Sequence, residues 1–186
     1  MLNFEFPSGP TFNIKNSKFQ IIMNSGFDWS AADFFRRLTE QNKFAKKEGF
    51  SFQIVSSLEG YHTLISKSLS VKACVAVSDT SEGGTELDNT PHTRRVKTVF
   101  LFMRHAADRQ DLRQQCLDKM NELFRQFLSV LIREKTRLAE DCIYIDPYIK
   151  FHQIDKYFYT GGACAYFQIA VDTFTDLSYN PDEWTE

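Results

Sequence analysis

The sequence predicts an α+β domain: a mostly antiparallel sheet of about five strands with two helices on one face, in the order α-β-β-β-α-β-β. Three observations predict it. A capped amphipathic segment opens the patterned region, three strand-like runs follow it, and one very long amphipathic segment precedes a final pair of strand-like runs. With 186 residues, 42% of them hydrophobic and 25% charged, the chain has material for one compact core.

Residues 1–28 mix aromatic residues with Pro7, Gly9, Pro10 and Gly26, which interrupt any regular element, and a short strand is conceivable only at 19–23. They read as an N-terminal arm ahead of a single domain at 29–175, with an acidic tail at 176–186. The segment DWSAADFFRRLTEQNKFAKKEG predicts the first helix. Ser30 stands at the N-cap, Asp33 lies in the first turn, Phe34, Phe35 and Leu38 share one side, and Gly49 is the stop.

In FSFQIVSS the residues Phe50, Phe52 and Ile54 alternate with polar neighbours, the period of a half-buried strand. LSVKACVAVSD repeats that period from Leu69 to Val77, and residues 61–65 read as an extension of one strand or the other. In RRVKTVFLFMRH the run 96–103 is nearly continuous in apolar residues, which predicts a central strand covered on both faces. The intervening DTSEGGTELDNTPHT has no period and reads as an exposed, mobile loop.

From about residue 107 to 138, Leu112, Cys116, Met120, Leu123, Phe127 and Leu131 recur at helical spacing. Such a helix is longer than one small sheet needs, so part of it is expected to overhang and meet another subunit. Pro147 separates a short apolar run from YIKFHQI, and Gly161 and Gly162 introduce ACAYFQIAVDTF. These two are the expected last strands. The ending TDLSYNPDEWTE carries acids and no base, with Trp184 as a residue that could dock against the body.

Eighteen Phe, seven Tyr and two Trp imply either an aromatic-rich core or rings kept at the surface for a partner. A net charge of −2 creates no general field to attract phosphate backbones, which argues against nucleic acid. Cys74, Cys116, Cys142 and Cys164 are widely spaced without a CxxC, and read as reduced, mostly buried thiols. No run approaches a membrane span and the start lacks a signal-peptide pattern, so a soluble, cytoplasmic protein is expected.

The chemistry-bearing residue types form no active-site spacing. His62, His92, His105 and His152 fall in different elements, without a partner at helical spacing, and the cysteines sit in apolar patterns, except Cys142, beside Glu140 and Asp141. Neither Gly83-Gly84 nor Gly161-Gly162 has the length or the Lys-Ser/Thr of a phosphate loop, and both read as turns. Arg36, Arg37, Lys46 and Lys47 give the first helix a basic side. The segment that stands out runs from 79 to 97: Asp79, Glu82, Glu86 and Asp88 are followed by Arg94, Arg95 and Lys97. This two-signed set is the candidate interface, suited to setting register against a charged neighbour.

The element order, the loop between the second and third strands and the final GGACAYFQIAVDTF with its polar end resemble the tail-terminator (tail-completion) proteins of long-tailed bacteriophages, over roughly residues 29–174. That resemblance implies a non-enzymatic phage or prophage assembly protein that forms a ring, often a hexamer, capping the tail tube and facing the head connector. It implies a homo-oligomer with tail-tube and head-connector proteins as partners, found in the bacterial cytoplasm and in the virion, and it carries no cofactor, metal or catalytic residue. Residues 79–95 would reach the tube or an adjacent subunit, and the long helix would brace the ring. Two other classes remain open on the residues alone. One is an enzyme or small-molecule-binding domain built around His105 or His152, and the other a nucleic-acid module using Arg94, Arg95 and Lys97.

Overall fold

The computed structural model describes residues 29–56, 58–67, 71–79, 82–87, 92–106, 109–154 and 161–185. The elements are α1 (Ala31–Gln41), α2 (Lys43–Glu48), β1 (Phe50–Val55), α3 (Leu58–Lys67), β2 (Ala73–Ser78), β3 (Glu82–Thr85), β4 (His92–Arg104), α4 (Gln110–Glu140), β5 (Ile143–Ile145), β6 (Phe151–Ile154), β7 (Gly162–Phe174) and a 3-10 turn at Pro181–Glu183. The N-terminal arm, with the strand considered at 19–23, lies outside the described residues.

All seven strands belong to one sheet. β4 and β7 pair antiparallel along their whole lengths, from His92 opposite Phe174 to Arg104 opposite Gly162. On the other edge of β4, β2 covers Val99–Met103 and β3 covers Thr93–Val96, so β2 and β3 lie in line. Likewise β5 and β6 lie in line along the free edge of β7, separated by the Pro147 segment. The seven strands therefore fill five lanes; the α+β class is as expected, and the sheet has two strands more than the five expected. Every pairing is antiparallel except β1 with β2, which run parallel. A parallel pair needs a crossover, and α3 supplies it.

The expected order is corrected in four places. Residues 61–65 are helical, because Tyr61 must turn onto the face of the sheet that the other helices leave bare. The first helix divides at Asn42, whose Oδ1 accepts the Ala45 N–H at 2.7 Å and caps a second short helix. The glycine-rich segment contributes β3, and the apolar run before Pro147 contributes β5. At the other helix ends the expectation holds: Ser30 Oγ accepts the Asp33 N–H at 3.1 Å, and Gly49 closes α2 in the left-handed region.

α1, α2 and α4 pack on one face of the sheet. There Phe34, Phe35 and Leu38 of α1 and Leu117, Met120, Leu123 and Phe127 of α4 close over Val75, Leu101, Phe167 and Ile169. The opposite face has a smaller cluster in which Tyr61 stacks on Phe100 at 4.4 Å and donates its hydroxyl to the Leu101 carbonyl at 3.1 Å. β4 is thus covered on both faces over Val99–Met103, which is why its sequence there is continuously apolar.

The expected overhang of the long helix is not found. At 1.5 Å per residue α4 spans about 46 Å, and the thirteen-residue strands beneath it span about 44 Å. Its buried residues run from Cys116 to Leu138. Nor does Trp184 dock on the described residues of the body: it is 68% exposed and stacks on Tyr179.

Phe35 is fully buried and touches Phe34, Phe127 and Phe167, joining α1, α4 and β7. Phe35→Ala is expected to lower stability by about 3–5 kcal/mol, read by urea unfolding. A loss below about 1 kcal/mol would remove this packing from the account.

Candidate functional site

The strands β4 and β7 outrun α3. On the face opposite α4, α3 covers Phe100, Phe102 and Cys164, while His92, Arg94, Val96 and Thr98 of β4 continue beyond it beside Gln168, Asp172 and Phe174 of β7. β3 borders this sheet extension on one side and β5 on the other. The candidate interface falls here. Glu82 and Thr85 are the first and last residues of β3, Glu86 follows it, and Asp79 ends the segment after β2. Asp88 lies outside the described residues.

The supposed loop is thus a hairpin whose backbone is committed to pairing: Gly83 sits opposite Arg95, Gly84 opposite Arg94, and the Glu86 N–H donates to the His92 carbonyl at 3.0 Å. The glycines have unequal roles. A Cβ on Gly83 would lie 2.4 Å from the backbone oxygen of Arg94, whereas one on Gly84 would meet nothing within 4 Å. Gly83 is there for close approach of two backbones.

Electrostatically the set is not the free two-signed arm that its sequence implies. Arg94 is engaged on both sides, with Asp172 at 3.1 Å and with Asp146 at the end of β5, so one guanidinium clasps β4, β7 and β5. The backbone N–H of Tyr148 and the Arg94 guanidinium hold the Asp146 carboxyl below the usual carboxylate range. Lys97 points the other way, donating from Nζ to the Asp79 carbonyl at 2.6 Å, and Arg95 Nη1 lies 3.4 Å from Thr173 Oγ1. The cations are therefore tied into the sheet, while Asp79, Glu82 and Glu86 face solvent. A hydroxyl ladder from Thr85 through Thr93 (3.1 Å) to Thr175 (2.6 Å) ties β3, β4 and the end of β7 together.

Among the described residues two grooves border this region and a third lies apart from it. The widest, about 670 Å³, is lined by Gly84, Glu86, His92, Arg94, Tyr144 and Asp172. His92 sits edge-on to Tyr144 at 5.8 Å and to Phe174 at 6.2 Å, and these two rings are 46% and 42% exposed. A second, of about 340 Å³, lies between the start of α1 and the other face of the extension, with Arg95 and Lys97 in its wall, and a third of about 290 Å³ lies between α1 and the end of α4. Neither His105 nor His152 lines any of them. His152 stacks on Tyr166 at 4.8 Å, and His105 Nδ1 lies 2.7 Å from the Ala106 carbonyl.

Sequence reasoning placed the charged residues but missed their aromatic companions, Tyr144 and Phe174. Tyr144 sits in a three-residue strand with too short a period to read, and Phe174 is the last residue of a strand whose other apolar residues point inward. Among the described residues no group of three His, Cys, Asp or Glu side chains converges to hold a metal. Burial pushes the thiols of Cys74 and Cys164 up to about 12, against nucleophilic use. No helix among the described residues is long and apolar enough to cross a membrane. What the extension offers is a rigid, partly apolar surface with acidic residues at its border. Compared with protein-family models and with characterised proteins, the sequence gives no match.

The hairpin can be tested through its glycines. Gly83→Ala should destabilise the protein by about 1–3 kcal/mol through displacement of the β3 backbone, while Gly84→Ala should stay within about 0.5 kcal/mol in the same urea titration. Equal effects at the two positions would contradict the assigned register.

Proposed function

We propose that this protein is a non-enzymatic assembly protein of a phage or prophage tail, which works by joining copies of itself into a ring that caps the tail tube. The observation that carries the reading is the sheet extension. Its central cation, Arg94, is paired with Asp172 and Asp146, and its exposed rings, Tyr144 and Phe174, lie on a face that no helix among the described residues covers. Exposed aromatic residues bordered by polar groups are the composition of contact surfaces.

The construction suits a mechanical role. A surface that must hold its shape under load gains from strands paired over thirteen residues, a long helix seated along them, and an arginine that fastens three strands. Contacts that use different surfaces on the two partners close into rings when their rotation permits. In this reading the hairpin from Glu82 to Val96 meets the tube or a neighbouring subunit, and the bacterial cytoplasm and the virion are where the protein acts.

Size-exclusion chromatography with light scattering on the full chain, followed by negative-stain microscopy, tests the reading. A discrete species several times the 21.6 kDa chain, ring-shaped with an open centre, is the expected result. A monomer at the highest attainable concentration would overturn it.

A further inference from the structure

The C-terminal tail has a shape of its own although it touches little of the domain. Every residue from 176 to 185 is exposed. Asp176 Oδ1 accepts the Ser178 N–H at 2.9 Å, Asn180 Oδ1 accepts the Asp182 N–H at 3.1 Å, and the Trp184 N–H donates to the Pro181 carbonyl at 3.2 Å. These turns bring Tyr179 and Trp184 nearly parallel at 6.5 Å, with 76% and 68% of their surfaces open. The segment carries Asp176, Asp182 and Glu183 and no base. Two large rings held in solvent by local hydrogen bonds, among acids, form a preorganised element with no partner among the described residues beyond the tail.

The complementary surface is centred on α2, at the other end of the molecule. Between residues 36 and 47 the chain has five cations and one acid, Glu40. Lys43, Lys46 and Lys47 on α2 are exposed and form no salt bridge among the described residues, while the neighbouring Glu48 is taken up by Lys119 at 2.5 Å. Arg36 lies over the Phe52 ring at 5.2 Å, so aromatic and cationic groups already meet on this surface.

Geometry decides whose tail reaches it. α2 runs directly into Phe50, which is in register with Ala73, Met103 and Ala163. The tail leaves β7 at Phe174, eleven residues further along the strand, or about 37 Å away. A tail shortened by two turns does not span that distance within one copy.

Building on the ring reading above, we propose that the acidic aromatic tail of one copy docks on the basic α2 surface of the next. Donor and acceptor at opposite ends of the long strands make the contact head-to-tail, the kind that propagates around a ring. Lysine ammonium groups then face the Tyr179 and Trp184 rings and the tail carboxylates, which gives direction to the contact.

Sedimentation velocity with two charge-reversed full-length variants tests this. One carries K43E, K46E and K47E, and the other D176K, D182K and E183K, all at exposed positions, with folding verified by circular dichroism. Each alone should associate at least tenfold more weakly than the unmodified chain. An equimolar mixture should recover association, because each reversed surface then meets its opposite on the other variant. If the unmodified chain assembles and the variants do so equally well, tail docking is wrong while the ring reading stands. Loss without recovery in the mixture also rejects the tail-to-helix pairing. A monomeric unmodified chain overturns both.

Discussion

The antiparallel ladder between β4 and β7 is the constraint on which the rest of the structure depends. It joins His92–Arg104 to Gly162–Phe174 without interruption, and every other strand but β1 pairs directly with one of its two members. Its length sets the length of α4, since a helix seated along thirteen paired residues needs about thirty residues to match them. Its inner half is apolar because helices cover both faces there. Its outer half is polar because α3 stops short, and the side chains on the uncovered face must satisfy one another or water.

That change of character along one ladder turns a folding element into a surface. Arg94 sits in the middle of the polar half, where a free guanidinium would be an unspecific charge. Held by Asp172 and Asp146, it instead locks the end of β5 to β4 across β7. Arg94 is about half-exposed and its two carboxylates about a quarter exposed, so the ion pairs are open to solvent and add little to global stability. Their contribution is to orientation: they fix the Tyr144 strand beside His92 and Phe174 and leave the carboxylates of β3 at the border. The tail continues the same pattern, with its hydrogen bonds spent on holding two rings outward.

The parts legible in the sequence were those in which one period serves one face. β2 and the buried half of β4 had clear patterns, α4 repeated its apolar stripe for about six turns, and Ser30 and Gly49 marked their caps through side-chain and backbone chemistry. What escaped was short or lacked a buried side. β3 is Glu-Gly-Gly-Thr, with poor strand propensity and no buried residue, and it is a strand only because β4 offers an unpaired edge. β5 has three residues. α3 buries Tyr61 fully, and the stripe Tyr61-Leu64 is too narrow to separate a helix from a strand over five residues. The candidate charges were found at the right place, but their pairing was not legible, because the partners of Arg94 lie 52 and 78 residues further along the chain.

Amide hydrogen exchange along β4 and β7 tests the central claim most directly. If the polar half is a built extension of the core ladder, the amides of this half that donate across the pair should be protected by orders of magnitude, opening together with those of Val99–Met103. Exchange near the rate of an unstructured peptide over residues 93–97 and 168–173, with protection confined to the apolar half, would contradict it.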